Sequence, residues 1–222
     1  LPVPSDDIDK KNINLSLFPT RVLQNVSISK TYSVEGSADQ ASGNVNITSR
    51  ELAGSSELAI GVSGGVNSDV VKSGVYDNFK ISQNSKNTTF GFYDQNLSTQ
   101  QLITNQGWNT LRQENPIDYS MSIAAGKKIA DKLAVFFTAS HSRSFEHREG
   151  LFRQFRSNFI DDTITDATTY QKKIVNTALL DLTYLANAKH KIKSSTFFVN
   201  KLDENVFELS LIHISEPTRL GM

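Results

Sequence analysis

Four histidines and a run of arginines are the residues of this chain best suited to chemistry. His141 and His147 stand close to Glu146 and Glu149, and imidazole with carboxylate is a donor set for a divalent metal. Their spacing matches neither the helical His-Glu-x-x-His pattern nor a zinc-finger pattern. No metal is expected, and both histidines read as solvated loop residues. His190 falls in an expected tight turn, and His213 lies near the C-terminal end. Arg143, Arg148, Arg153 and Arg156 are interspersed with Phe145, Phe152 and Phe155. Such a basic and aromatic stretch can capture an anionic ligand by bidentate contacts, or rest against an anionic lipid surface. The third reading is an ordinary loop whose aromatics belong to a membrane interface.

Other motifs exclude more than they suggest. Gly61, Gly64 and Gly65 do not open a helix, so a dinucleotide fingerprint has no support. Asp6, Asp7 and Asp9 lack the glycine and closing glutamate of a calcium loop. Triplets such as Asn25-Val26-Ser27 and Asn87-Thr88-Thr89 follow from a chain rich in Asn, Ser and Thr. No nucleophile, base and orienting group come together, so the chain is not expected to be an enzyme or to carry a cofactor. Lys plus Arg and Asp plus Glu both number 23, for a net charge of zero, which argues against a nucleic-acid partner. Cysteine is absent, which removes disulfide frameworks, thiolate metal sites and cysteine nucleophiles.

The elements that would position these residues are strands. Five segments alternate with a period of two. In the first, Leu58, Ile60, Val62 and Val66 oppose Ala59, Gly61, Ser63, Gly65 and Asn67. In the second, Ile117, Tyr119, Met121, Ile123 and Ala125 oppose Asp118, Ser120, Ser122, Ala124 and Gly126. In the third, Leu133, Val135, Phe137 and Ala139 oppose Lys132, Ala134, Phe136, Thr138 and Ser140. In the fourth, Ala178, Leu180, Leu182 and Tyr184 oppose Thr177, Leu179, Asp181 and Thr183. The fifth, Lys191 to Lys201, is the least regular. Soluble strands usually run about 5–6 residues; these extend to about 9–11, the length a tilted strand needs to cross a bilayer. The small and polar face suits a wet lumen, the apolar face lipid. No apolar run reaches the roughly 20 residues of a membrane helix.

The connections repeat the message. A long polar segment, 68–116, separates the first two strands, and the stretch Lys127 to Asp131 joins the next pair. A long loop is expected over about Arg143 to Lys172, then a short turn from Asn187 to His190. Long loops outside and tight turns inside are the pattern of an outer-membrane barrel. The first fifty residues differ. Pro19 can open a short helix to Gln24, feeding a strand from Val26 to Tyr32. The polar loop Ser33 to Ser42 then leads to Gly43 and a strand through Val45 and Ile47. This piece is too small to hold a core alone.

The stretch from Asn14 to Tyr32, with Pro19 before the strand and Lys30-Thr31 at its end, resembles the late plug segment of TonB-dependent outer-membrane receptors. Ala41 to Thr48, with Gly43, Val45 and Ile47, is similar to that family's closing plug motif, Ser42-Gly43 replacing its usual glycine pair. The wording Leu17-Phe18-Pro19-Thr20 looks most like the receptors of Bacteroidota. The resemblance implies a mainly β fold: the end of a small α/β plug over residues 1–50, then the first strands of an antiparallel transmembrane barrel over 51–208, left partial and open. It implies a cell outer-membrane location in a Gram-negative bacterium. It also implies import of a large or scarce ligand such as a siderophore or glycan. The partners implied are outer-membrane lipid, the imported ligand, and an inner-membrane TonB complex reached through a segment outside this chain. A structural or adhesive barrel is the alternative, and a soluble carbohydrate-binding sandwich a further one. Leu209 to Arg219 resembles a translated sequencing adapter, so 209–222 is expected to be a non-native tail. An open sheet is expected, with the first fifty residues as a lobe on its small-residue face.

Overall fold

Alternating β-branched residues build the first element. In the computed structural model, which describes residues 23–31, 44–52, 54–72, 74–86, 88–89, 92–93, 98–101, 109–130, 132–156, 159–187 and 189–209, β1 (Leu23–Ser29) pairs antiparallel with β2 (Asn44–Ser49). Val26 lies opposite Ile47 and Ile28 opposite Val45, apolar cross-strand pairs of the kind that stabilise a ladder. The helix expected to reach Gln24 is corrected there: Leu23 and Gln24 already belong to β1, and Leu23 pairs with Ser49. Pairing by this Val- and Ile-bearing strand overrides the weak helical preference of so short a segment. Lys30 follows the strand and is exposed. Pro19, Gly43 and the loop 33–42 lie outside the described residues.

The five alternating segments are all strands of one sheet. They are β3 (Ser56–Gly65) and, after the small elements α1 (Ser68–Val71), β4 (Lys80–Ser82), β5 (Thr88–Thr89), β6 (Phe92–Tyr93) and β7 (Thr110–Arg112), the four strands β8 (Asp118–Ile129), β9 (Leu133–Arg156), β10 (Phe159–Asn187) and β11 (His190–Leu209). Their order is β11-β10-β9-β8-β3. Strands β8 and β9 are antiparallel, in register from Tyr119 opposite Arg143 to Ile129 opposite Leu133. Short turns follow β8 and β10 as expected, but the first is shifted: Lys127, Lys128 and Ile129, expected in the turn, belong to β8. Ala130 takes a φ of 53° at the first, and Asn187 Oδ1 accepts the amides of Lys189 and His190 at the second, at 3.0 and 2.9 Å. The chain is mainly β, with antiparallel sheets. No helix among the described residues is long and apolar enough to cross a membrane, which leaves open a crossing by strands.

The long loop expected from Arg143 to Lys172 is corrected. Those residues extend β9 and β10 into strands of 24 and 29 residues. Contacts divide the chain into two units, 1–64 with 119–143 and 174–202, and 65–118 with 144–173 and 203–222. The second unit has its own core: Val70, Phe79, Ile81, Phe145 and Tyr170, with Val75, Leu111 and Val206 against it. Phe79 meets Phe145 and Tyr170 edge-on, with centroids 5.2 and 5.4 Å apart, the geometry favoured by ring quadrupoles. The segment 68–116 supplies half of this core, so it is more than a polar connection. Asn67 caps α1 by accepting the Asp69 amide, and β4 pairs with β7, placing Ile81 opposite Leu111.

Candidate functional site

The first unit carries an inverted surface. Its small and polar strand positions are covered: Ala124, Phe136, Thr138, Thr177, Leu179 and Asp181 are buried. Many of its apolar positions are exposed, while Leu133 and Val135 are half-buried. Leu58, Ile60 and Val62 are 73, 72 and 72 % exposed, and Met121, Ile123, Phe137, Leu180, Leu182 and Tyr184 are exposed beside them in sheet order. Register settles which residues share this face: Met121, Ile123 and Ala125 stand opposite His141, Ala139 and Phe137. Burying a side chain such as Leu, Ile or Val yields about 1.5–3 kcal/mol, so a contiguous apolar surface of this size marks an interaction site.

A row of half-buried polar side chains crosses that face at one end. Tyr119 hydroxyl lies 3.1 Å from His141 Nε2, His141 Nδ1 lies 2.6 Å from Asn176 Oδ1, and Asn176 Nδ2 donates to Asn200 Oδ1 at 3.4 Å. The Arg143 guanidinium stacks on the Tyr119 ring, 4.7 Å from its centroid.

The covered face is ionic. Glu51, just after β2, receives Lys191 at 3.1 Å and Lys193 at 3.0 Å, and Lys193 also donates to Ser49 at 3.3 Å. Hydrogen bonds from Lys193 first, then Lys191, hold the Glu51 carboxyl below its ordinary range. Arg50 lies over the Phe136 ring at 5.7 Å. Leu52 so crowds Gly126 that a Cβ there would come within 2.7 Å of its Cδ1. A pocket of about 180 Å³ opens beside them, lined by Lys128, Lys132, Lys191, Glu51 and Asp181 among others. The Asp181 side chain is 3 % exposed. Its Oδ1 accepts from Ser195 and lies 3.9 Å from Lys193, while Oδ2 has no hydrogen-bond partner. Residues 49 and 50 of the expected lobe, with 51 and 52 just after it, thus lie on the small-residue face.

The four arginines do not form one loop. All lie on β9, with Arg143 in the first unit and the other three in the second. Arg148 pairs with Glu146, its Nε 2.8 Å from Oε1; Arg153 is exposed; the side chain of Arg156 lies outside the described residues. The two histidines expected to be solvated are corrected as well. His141 is part of the polar row, and His147 is 2 % exposed, its ring 4.9 Å from that of Tyr170. Burial depresses the His147 pKa from its ordinary value, against the pull of Glu149, whose Oε1 is 3.6 Å away. The same unit holds two strand-to-strand ion pairs, Lys172 with Glu204 at 3.6 Å and Lys80 with Glu208 at 2.6 Å.

Sequence reasoning passed over Glu51 and the lysines that hold it. The alternation of Lys191 and Lys193 was a signal: both fall on the parity of Ser195, the residue that reaches Asp181. Comparison with protein-family models, with curated proteins and with solved structures finds no match.

Proposed function

We propose that this chain forms membrane-crossing strands of an outer-membrane β-barrel, together with the end of a plug, in a TonB-dependent receptor that imports a large or scarce ligand. The observation that carries the barrel reading is the exposed apolar side chains of β3, β8, β9 and β10, beside an opposite parity that is buried on β8, β9 and β10. A water-soluble sheet hides its apolar face; a barrel strand turns that face to lipid and its polar face to a lumen. The plug and receptor parts rest on the sequence resemblance of residues 14–48. Import then follows as the resemblance implies: ligand binds outside, and an inner-membrane complex pulls on the plug. Glu51, just after β2, lies beside the charged strand positions Lys191 and Lys193.

Topology tests the reading. The full reading frame is expressed in a Gram-negative cell with Gly150→Cys or Lys189→Cys. Gly150→Cys is expected to react with an impermeant maleimide in intact cells, and Lys189→Cys only after the outer membrane is permeabilised. Recovery of both variants in the soluble fraction would overturn the membrane assignment.

A further inference from the structure

We infer that the row Tyr119, His141, Arg143, Asn176 and Asn200 is the lipid-headgroup level of the membrane-facing surface, and that Arg143 binds the phosphate of an anionic lipid there. The inference rests on the barrel reading and deepens it.

Three observations carry it. First, the row lies on the apolar face, because Tyr119 and Met121 stand opposite Arg143 and His141. Tyr119, His141, Asn176 and Asn200 are linked to one another by hydrogen bonds across strands, the pairing of polar groups that a hydrocarbon boundary requires. Second, the spacing fits a bilayer. From Tyr119 to Lys127, the next charged position of that parity on β8, the strand advances about 27 Å at about 3.4 Å per residue. Tilted as barrel strands are, that covers most of an apolar band about 25 Å tall. Third, on β9 bareness stops at the row. Beyond Arg143, the next two positions of that parity on β9, Phe145 and His147, are buried by protein.

The chemistry selects phosphate. A ring-stacked guanidinium keeps its charge, and guanidinium recognises phosphate oxygens through its planar donor edge. Tyrosine beside it is the residue that favours this depth, with an apolar ring and a polar tip.

The test uses the whole chain in vesicles, in a Trp108→Phe background that removes the single native tryptophan. Tyr119→Trp and Phe137→Trp are each compared in phosphatidylethanolamine and phosphatidylglycerol vesicles brominated near the ester or near the chain middle. Tyr119→Trp is expected to be quenched best by the shallow bromine and Phe137→Trp by the deep one. Association is then measured with and without phosphatidylglycerol. Arg143→Gln is expected to lose about fivefold of the gain from anionic lipid, and Arg143→Lys to keep most of it. Deep quenching of both tryptophans, or an anionic-lipid gain unchanged in Arg143→Gln, would overturn the inference while leaving the barrel reading intact. Absence of quenching at Phe137→Trp from either bromine would overturn both.

Discussion

The long strands β9 and β10 are treated differently in the two units they enter. In the first unit, Phe137 on β9 is exposed while its neighbours Phe136 and Thr138 are buried. In the second unit, Phe145 and His147, on the parity of Phe137, are buried, and Leu151 on that parity is exposed again. There the chain supplies its own cover, Val70, Phe79 and Ile81. In the first unit nothing among the described residues covers Leu58, Ile60, Val62 or Phe137. The lesson is that an apolar strand face needs a partner, and the identity of that partner varies along one strand. Where the partner is protein, the face tolerates a histidine, a lysine and ion pairs at its margin. Where the face is bare, it is aliphatic and aromatic up to a row of polar groups.

Substitutions can break that contrast. Phe145→Ala is expected to cost most, about 3–5 kcal/mol, because a buried phenylalanine leaves both its transfer energy and a cavity. The loss should appear as faster hydrogen exchange over 144–173, in detergent and in bilayer alike. Phe137→Arg is expected to cost about 2–4 kcal/mol in a folding titration into vesicles, since a charge then faces the hydrocarbon. Ser122→Arg, on the opposite parity, is expected to cost less. Equal cost for these two would remove the distinction between the faces.

The sequence made one half of this contrast easy to read. Four strands follow from regular alternation and the fifth from a less regular one, and the short turns after β8 and β10 follow from the gaps between them. The extension of β9 and β10 was hidden, because Arg143 to Lys172 contains charges on both parities and no long apolar run. The partners that stabilise those arms, Val70 and Phe79, come from a distant segment whose own signal is polar. Burial of His147 depends on that segment and cannot be read from its neighbours. The ionic contacts of Glu51 are equally non-local: Glu51 and Lys191 lie 140 residues apart in the chain. The β1–β2 hairpin was half legible. Val45 and Ile47 marked β2, while Pro19 suggested more helix than Leu23 and Gln24 allow.

A smaller effect is expected from pH. His147 has a depressed pKa, set first by burial. Above its ordinary value of 6.5 the native and unfolded forms are both neutral, and its stability contribution is fully present. As pH falls below 6.5, the unfolded chain takes up the proton first, so stability of the second unit declines until the native ring also protonates. Unfolding of that unit followed by hydrogen exchange between neutral and mildly acidic pH checks this. His147→Leu is expected to flatten the slope. The smallest change is expected from Glu51→Gln. That side chain is more than one-third exposed, and such pairs are worth about 0.2–1 kcal/mol before screening. Its loss should reduce the salt dependence of protease cleavage after Arg50. The stability that Glu51 contributes is present above its ordinary pKa of 4.5 and lost as pH falls through its lower native value.

The central claim is that the bare parity of the first unit faces lipid. Nitroxide labels placed one at a time from Ser120 to Ala125, in the full-length protein reconstituted in vesicles, test it most directly. Collision with oxygen, which concentrates in hydrocarbon, is compared with collision with a water-soluble nickel complex. The account predicts a period of two, with oxygen dominant at Met121, Ile123 and Ala125 and suppressed at Ser120, Ser122 and Ala124. Nickel dominant at Met121, Ile123 and Ala125, or no alternation along the strand, would contradict it.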